Sequence, residues 1–519
     1  MPGNGSASAA VLLLNPRVCG PRSTRFPLSL LNLAAVLEGS RPWQILDGNR
    51  GPIREPALAA LAARPHALVG VTVMPGPQVA PAIEISAAIR AAYPHVPIVW
   101  GGYFPTLYPD AAVNAPYVDY LIRGQGEATL LELLRRLPDA GAPSPADSAR
   151  DPSAIQDVAG LTWKRDGRAV HNPERPIIDP DGLPPLPYER LGDVNGYLRP
   201  SFMGRRTTAH QAAIGCRFKC DFCGVVSMWN GTTRLDAPAR LEATLGQLRD
   251  RWGADGIQFY DHNFFDRESS AVPVLEALGR LAMPWWCFAR ADTLARFKPA
   301  TWELIRRSRL RMAYIGAEAA SDDVLNSMRK GSKVDHTLEV AARCRAYGVI
   351  PEFSFVLGGP DDPEGEVDKT LSFIRKIKRL NPDAEIVLYF YSPTPQVDRA
   401  LLRSQPKAAH LPVLKTYGPS GPALPTTPEA WTDPRWVRWV CHLDAPWMTQ
   451  RTRRRIADFA RVLACRFPTV QDYRTPALGK SLLRNLARWR YSTETYAYPI
   501  ELRIAQRLLR LRDPKSESL

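Results

Sequence analysis

Long apolar runs are missing from this chain of 519 residues. Nothing approaches the roughly 18–20 consecutive apolar residues of a helical membrane span. A basic segment followed by a long apolar core is also missing at the N-terminus, so export is not expected and a cytoplasmic location is. Cysteine is scarce, with 8 in all, too few for a disulfide scaffold at this length. The first 130 residues hold no GxGxxG, and Gly124-Gln125-Gly126-Glu127 is too short to serve as that dinucleotide fingerprint. What is present is 45% hydrophobic and 23% charged residues, enough for several cores and incompatible with wholesale disorder. The length suggests two to four domains. Lys+Arg 67 against Asp+Glu 52 leaves a net charge of +15, which suits nucleic acid, an anionic membrane surface or acidic ligands. A generally basic enzyme explains the excess equally well. No RNA-binding appendix is evident, so nucleic acid is not expected as a partner.

The organisation reads as α/β in four parts: 1–137, 138–200, 201–400 and 401–519. In the first, apolar runs at Ala10 to Asn15, Trp43 to Asp47, Ala67 to Val73, Ile98 to Gly102 and Tyr120 to Arg123 alternate with helix-like segments such as Ala80 to Ala92. This is the pattern of βαβ units and a Rossmann-like parallel sheet covered on both faces. Ligands of such sheets bind beyond the carboxyl ends of the strands. His66 precedes its strand and reads as a surface residue. Residues 138–155, rich in Pro, Ala, Ser and Asp, read as a flexible connection, followed by a small hairpin on either side of Asp166-Gly167. Between 201 and 400 six more strands are expected, His210 to Gly215, Gly256 to Tyr260, Trp285 to Arg290, Met312 to Ala317, Pro351 to Leu357 and Glu385 to Tyr391. With helices between them they suit a partial (β/α)6 barrel, whose chemistry would lie at the C-terminal strand ends. The last part is helical and basic. Its Arg451 to Arg461 and Glu501 to Arg512 segments place Arg on one side and Leu, Ile and Ala on the other. A packed helix with a solvated Arg face accounts for this, as does contact with an anionic surface or a lipid-like substrate.

The chemistry sits in Gly215-Cys216-Arg217-Phe218-Lys219-Cys220-Asp221-Phe222-Cys223-Gly224. Three thiolates at C-x3-C-x2-C spacing can each hold one iron of a four-iron cluster, leaving the fourth iron open to bind a ligand. Structural zinc generally wants four protein ligands, and no nearby Cys or His completes such a set. His210, at the start of its expected strand, is aimed away. The remaining cysteines are scattered and read as small buried residues.

With Phe222 just before the third cysteine, this segment resembles the motif of the radical S-adenosylmethionine (SAM) superfamily. The resemblance implies a [4Fe-4S] cluster on Cys216, Cys220 and Cys223, with SAM chelating the open iron and yielding a 5′-deoxyadenosyl radical on reduction. It also implies SAM contacts at the strand ends: Asp261 in Tyr260-Asp261-His262-Asn263-Phe264, then Arg290, Glu318 after Gly316-Ala317, and Gly358-Gly359 before Pro360. The first part is similar to the cobalamin-binding domains that precede many of these enzymes. Thr72-Val73-Met74 and Gly101-Gly102 are separated by the 26 residues 75–100, and Trp100-Gly101-Gly102-Tyr103-Phe104-Pro105-Thr106 and Gly124-x-Gly126-Glu127 look like that branch. Asn15, Thr72, Val73, Met74, Gly101, Gly102, Tyr103, Pro105, Thr106, Gly126 and Glu127 are the implied contacts. The Asp-x-His-x-x-Gly loop that ligates cobalt in other cobalamin methyltransferases is absent, and residues 15–30 hold no His. The implied cobalamin therefore has no His below it.

Together these resemblances imply a cobalamin-binding Rossmann-like domain, a partial radical SAM barrel and a helical C-terminal region. The implied activity is methylation of an unactivated carbon of a small molecule, possible substrates including apolar or lipid-like ones. The methyl would pass from methylcobalamin to a substrate radical, and a flavodoxin or ferredoxin would supply electrons. Alternatives are a cyclase resembling the anaerobic magnesium-protoporphyrin ester cyclase, another rearrangement without methyl transfer, and a cluster-bearing module without turnover. Methylthiotransferases carry a second N-terminal cysteine triplet, whereas only Cys19 stands there. Trp229, Trp285, Trp286, Tyr389 and Tyr391 are candidates for an apolar cavity, or for plain core.

Overall fold

The computed structural model describes residues 9–20, 23–137, 152–359, 361–392, 396–397, 413–414, 423–443, 445, 447–472 and 476–509. Two compact units result, one made of Met1–Tyr197, Ile214–Asp236 and Pro393–Val440, the other of Leu198–Ala213, Ala237–Ser392 and Cys441–Leu519.

The first unit is built on β1 (Ala10–Asn15), β2 (Trp43–Asp47), β3 (His66–Thr72), β4 (Ile98–Gly101) and β5 (Tyr120–Ile122), all parallel. Every residue of β1 is buried, as a parallel strand covered on both faces requires. Val11 and Leu13 pack against Leu30, Ala34 and Leu133 from the helices Leu28–Leu37 and Glu127–Arg136. The order of these strands is β2-β1-β3-β4-β5, so β2 lies on one side of β1 and β3 on the other. Such a reversal opens a crevice at the carboxyl ends of β1 and β3.

The hairpin expected in the connecting region forms as β6 (Leu161–Arg165) and β7 (Arg168–His171). It does more than connect, because β6 pairs antiparallel with β5 and extends the sheet to seven strands. Residues 138–151 lie outside the described residues, but Pro152–Ile155 forms a short helix, not open chain, because Ile155 is buried in the sheet's core. His66 is not a surface residue: it opens β3 and is 5% exposed. Burial lowers its pKa, and Nδ1 lies 2.9 Å from the Arg64 carbonyl.

The second unit carries six parallel strands. They are β8 (Thr207–His210), β11 (Gly256–Phe259), β12 (Trp285–Arg290), β13 (Leu310–Glu318), β14 (Ile350–Leu357) and β15 (Glu385–Phe390), ordered β15-β14-β13-β12-β11-β8. The expected first strand, His210 to Gly215, is corrected. β8 starts at the β-branched pair Thr207-Thr208, which a count of apolar residues overlooks, and His210 closes the strand instead of opening it. Gly215 ends a separate short strand, β9 (Ala213–Gly215), which forms its own ribbon with β10 (Thr233–Leu235). The cysteines lie between these two. At the C-terminus the helices Gln450–Arg466, Ala477–Ser492 and Ile500–Leu508 pack through Val462, Cys465, Leu483, Ala487, Leu502 and Ala505. Among the described residues no helix is long and apolar enough to cross a membrane.

Candidate active site

The cysteine loop begins at a backbone position that only glycine takes easily. Gly215 has φ +77°, and a Cβ there would lie 2.1 Å from the Thr232 carbonyl oxygen and 2.9 Å from the Trp229 Cβ. Eight residues then deliver Cys216, Cys220 and Cys223, none of them in a disulfide, Cys220 buried and the others half-buried. The Cys223 N–H donates to the Cys220 carbonyl at 3.3 Å, and the Val226 N–H to the Cys223 carbonyl at 3.2 Å. These bonds close a tight turn into the helix Val225–Trp229. Phe222 is half-buried in the same turn. Trp229 is 8% exposed, and its indole N–H donates to the Tyr103 hydroxyl. Burial, then the nearby Cys223, drive the Tyr103 pKa upward, with a smaller contribution from Cys216. Two motifs more than a hundred residues apart, the cysteine triplet and the segment after β4, thus meet within the first unit. Gly124 backs onto the same helix, its Cβ position 3.6 Å from the Met228 carbonyl oxygen.

At the carboxyl edge of the first sheet the expected residues converge. The Val73 N–H donates to the Gly101 carbonyl (2.8 Å) and the Phe104 N–H to the Val73 carbonyl (2.9 Å), which knits the end of β3 to that of β4. Gly102, at φ +95°, sits where a side chain would be strained and tight: a Cβ would lie 3.0 Å from Thr72 Oγ1 and 3.1 Å from the Val73 oxygen. Thr106 Oγ1 donates to the Gly102 carbonyl (2.7 Å) and accepts the Gly124 N–H (3.0 Å), while Pro105 is buried beside it. Glu127 is 7% exposed at the start of its helix and accepts from its own N–H and that of Gly126; burial raises its pKa. Asn15 is part of a larger knot. Its Nδ2 donates to Asp47 Oδ1 (2.9 Å), and its Oδ1 accepts from Gln78 (2.9 Å). Gln78 also accepts the Met74 N–H (2.8 Å), and Tyr197 donates to Asp47 Oδ2 (3.0 Å). Gln78 and Tyr197 were not among the expected residues. Their polarity was legible, but not their convergence from 63 and 150 positions away.

The strand ends of the second unit hold a different set. Asp261, fully buried, accepts the Ala213 N–H and so fixes the start of β9. Two residues on, Asn263 is also fully buried, and neither its amide oxygen nor its nitrogen meets a partner among the described residues. Arg290 donates through Nε to Asp292 (2.9 Å) and through Nη2 to the Lys330 carbonyl. Lys330 pairs with Glu318, a non-glycine residue at φ +63°. All four side chains are 7% exposed or less. A Cβ on Gly316 would fall 2.1 Å from Glu318 Oε1, so glycine there makes room for that pair. Gly358, at φ +79°, faces Met448, whose sulfur would lie 2.6 Å from an added Cβ, whereas Gly359 has open space; Pro360 lies outside the described residues. The five candidate cavity aromatics do not form one set. Trp285 is 0% exposed among Phe259, Phe264 and Phe265 and donates to the Ser308 carbonyl (2.7 Å), so it is core. Trp286 packs with Tyr260, Phe288 and Tyr314, and Tyr314 bonds to Tyr389. Tyr391 faces Trp447.

The donor chemistry fits the implied cofactors. Three cysteines on one turn, outside any disulfide, suit a cube whose irons take one thiolate each. Among the described residues no three His, Cys, Asp or Glu side chains are grouped to hold a single metal ion. The strand order reverses at β1 and β3, and the crevice that such a reversal makes at their carboxyl ends, beside Asn15, Thr72 and the Gly101-Gly102 turn, is where a flat ligand would lie.

Residues 212–374 match the family model described as the radical SAM superfamily, and residues 22–134 match the B12 binding domain. The chain therefore joins a B12-binding domain to a radical SAM domain and is a cobalamin-dependent radical SAM enzyme. The cofactors of this combination are a [4Fe-4S] cluster, SAM and cobalamin. An uncharacterized methyltransferase of Pyrococcus horikoshii is 24% identical over 365 residues, which are 70% of this chain and 75% of that protein. The anaerobic magnesium-protoporphyrin IX monomethyl ester cyclase of Synechocystis is 23% identical over 395 residues, 73% and 74% of the two chains. The solved radical SAM methyltransferase TsrM of Kitasatospora setae, with cobalamin and a [4Fe-4S] cluster bound, superposes with a TM-score of 0.57 at 20% identity, covering 75% of this chain and 72% of that one. Its likeness is one of fold. Of these three, two are named methyltransferases and one a cyclase.

Proposed function

We propose that the chain methylates an unactivated carbon of a small molecule. The observation that carries this reading is the meeting of the cysteine turn with Tyr103, in the segment after β4, within one unit. Cys216, Cys220 and Cys223 would hold the cluster, with Phe222 in the turn, which requires a reducing compartment such as the cytoplasm and an electron donor of the flavodoxin or ferredoxin type. Asn15, Thr72 to Met74, Gly101 to Tyr103, Pro105, Thr106, Gly126 and Glu127 would form the cobalamin face. No histidine lies among them, so the cobalt would have no imidazole beneath it. Asp261, Arg290, Glu318, Gly358 and Gly359 would line the SAM side. When bound, the cluster with SAM supplies a hydrogen-abstracting radical, and cobalamin supplies the methyl group. The protein's part is to orient and to keep water out. Asp261 anchors the strand that enters the cysteine turn, while the Arg290-Asp292 and Lys330-Glu318 pairs hold fixed charge at the strand ends.

The test is anaerobic turnover of the reconstituted enzyme with cobalamin and methyl-labelled SAM on extracts of the source organism. Label in a new metabolite is the expected result. Deoxyadenosine without label transfer would sink methyl transfer and favour ring closure, a reading supported by the likeness to the ester cyclase.

A further inference from the structure

The C-terminal helices bury one apolar face and display a second. Leu483 and Ala487 of the helix Ala477–Ser492, and Leu502 and Ala505 of the helix Ile500–Leu508, form the bundle's core. Yet Leu478 (86% exposed), Leu482 (51%), Leu486 (38%) and Trp489 (60%) are open to solvent. Their spacing of four, four and three residues puts them in one stripe along the helix. The next helix repeats the arrangement with Ile500 (60%), Ile504 (54%) and Leu508 (78%), and Tyr498 (58%) stands just before it. A stripe of this kind is costly in water and does nothing for the bundle.

The charge around the stripes points to an occupant. Residues 450–509 carry thirteen Arg and Lys against four Asp and Glu. Among the described residues Arg466, Arg484, Arg488 and Arg507 are in no ion pair with a carboxylate. Arg466 lies close enough to Arg488 and Arg484 for their charge to lower its pKa, after burial. A second copy of the chain is a poor occupant, since a two-fold contact would set this arginine cluster against itself. An anionic bilayer answers both features. Leucine and isoleucine enter the acyl boundary, Trp489 and Tyr498 sit at headgroup level, and arginines meet lipid phosphates.

We propose that the helices Ala477–Ser492 and Ile500–Leu508 form an interfacial anchor that docks the enzyme on an anionic membrane surface. The anchor does not depend on the methyl-transfer reading. The test is co-sedimentation of the full-length protein with vesicles of phosphatidylglycerol and phosphatidylcholine, and with phosphatidylcholine alone. Binding to the mixed vesicles, weakened by salt, is expected. Leu482→Glu should reduce partition at least tenfold or so, and Arg484→Ser and Arg488→Ser should each reduce it about fivefold. These positions are exposed, so unchanged thermal unfolding checks that the variants fold. No binding, or equal binding to both vesicle types, overturns the proposal. So does a dimer in lipid-free solution that Leu482→Glu dissociates, which would assign the stripes to a second copy.

Discussion

At the carboxyl edge of the first sheet, Asn15, Asp47, Asn49, Gln78 and Tyr197 satisfy one another before any ligand arrives. Asp47 Oδ1 accepts from Asn15 and from the Asn49 N–H (3.0 Å), and its Oδ2 accepts from Tyr197. At the edge of the second sheet, four charged side chains are buried in two linked pairs, and Asn263 holds an amide with no partner among the described residues. Side chains already paired with one another leave mostly backbone and shape to a ligand, which would suit a large flat one. Buried charge and an open amide suit a small zwitterion that brings its own amino, carboxylate and hydroxyl groups. On the proposed assignment the two edges would divide recognition between contour and charge, and that division can be tested from the largest effect down.

Substituting any one of Cys216, Cys220 or Cys223 by Ala is expected to abolish deoxyadenosine formation and most bound iron, read by anaerobic iron assay and chromatography. Cobalamin retention should survive, since the contour edge keeps its glycines; if both cofactors are lost together, the two edges are not separable. The next largest effect is on stability. Lys330→Met leaves Glu318 charged and buried, which costs about 3–5 kcal/mol, and adding Glu318→Gln should recover most of it in urea unfolding. At the first edge the same logic predicts less. Asp47→Ala orphans three donors and costs about 1–3 kcal/mol. Asp47→Asn keeps an acceptor and the shape of the side chain and should cost less than Asp47→Ala, in the direction that burial, which raises the Asp47 pKa, favours.

The sequence was most informative where chemistry and structure are both local. The bounds of β1, β2 and β12 are readable because short apolar runs end at Gly, Pro or charge. The cysteine turn is readable because its spacing is its function. The pairing of β6 with β5 was hidden, since a hairpin's own residues do not say which edge it will join. Lys330 as the partner of Glu318 was hidden for a similar reason, being twelve residues away across a helix and turns. The left-handed backbone of Glu318 has no signal in its residue type, and the need for glycine at 316 shows only once the Glu318-Lys330 pair is seen. His66 and His210 were misjudged because strand ends shift by a few residues, and with them the burial of a ring.

The smallest effect compares those two histidines, one in each sheet. His210, 4% exposed at the end of β8, has its pKa lowered to about 4 by burial, with Arg240 adding to the effect. Above pH 6.5 the ring is neutral in both folded and unfolded chains and contributes nothing. As pH falls from 6.5 toward 4, the unfolded chain takes up a proton that the folded one refuses, so stability is lost. The loss is about 1.4 kcal/mol at pH 5.5. The raised pKa values of Asp47 and Glu127 act in the opposite sense, gaining stability as acid protonates them, so the raw pH profile is a mixture. The difference between the chain and its His210→Gln variant removes that mixture. Urea unfolding at pH 7.5 and 5.5 should show the variant losing less on acidification. His66→Gln should shift in the same direction, since burial lowers that pKa too. If His210→Gln loses as much stability as the parent between the two pH values, the ring accepts a proton in the folded state, and the edge at β8 is wetter than its 4% exposure implies.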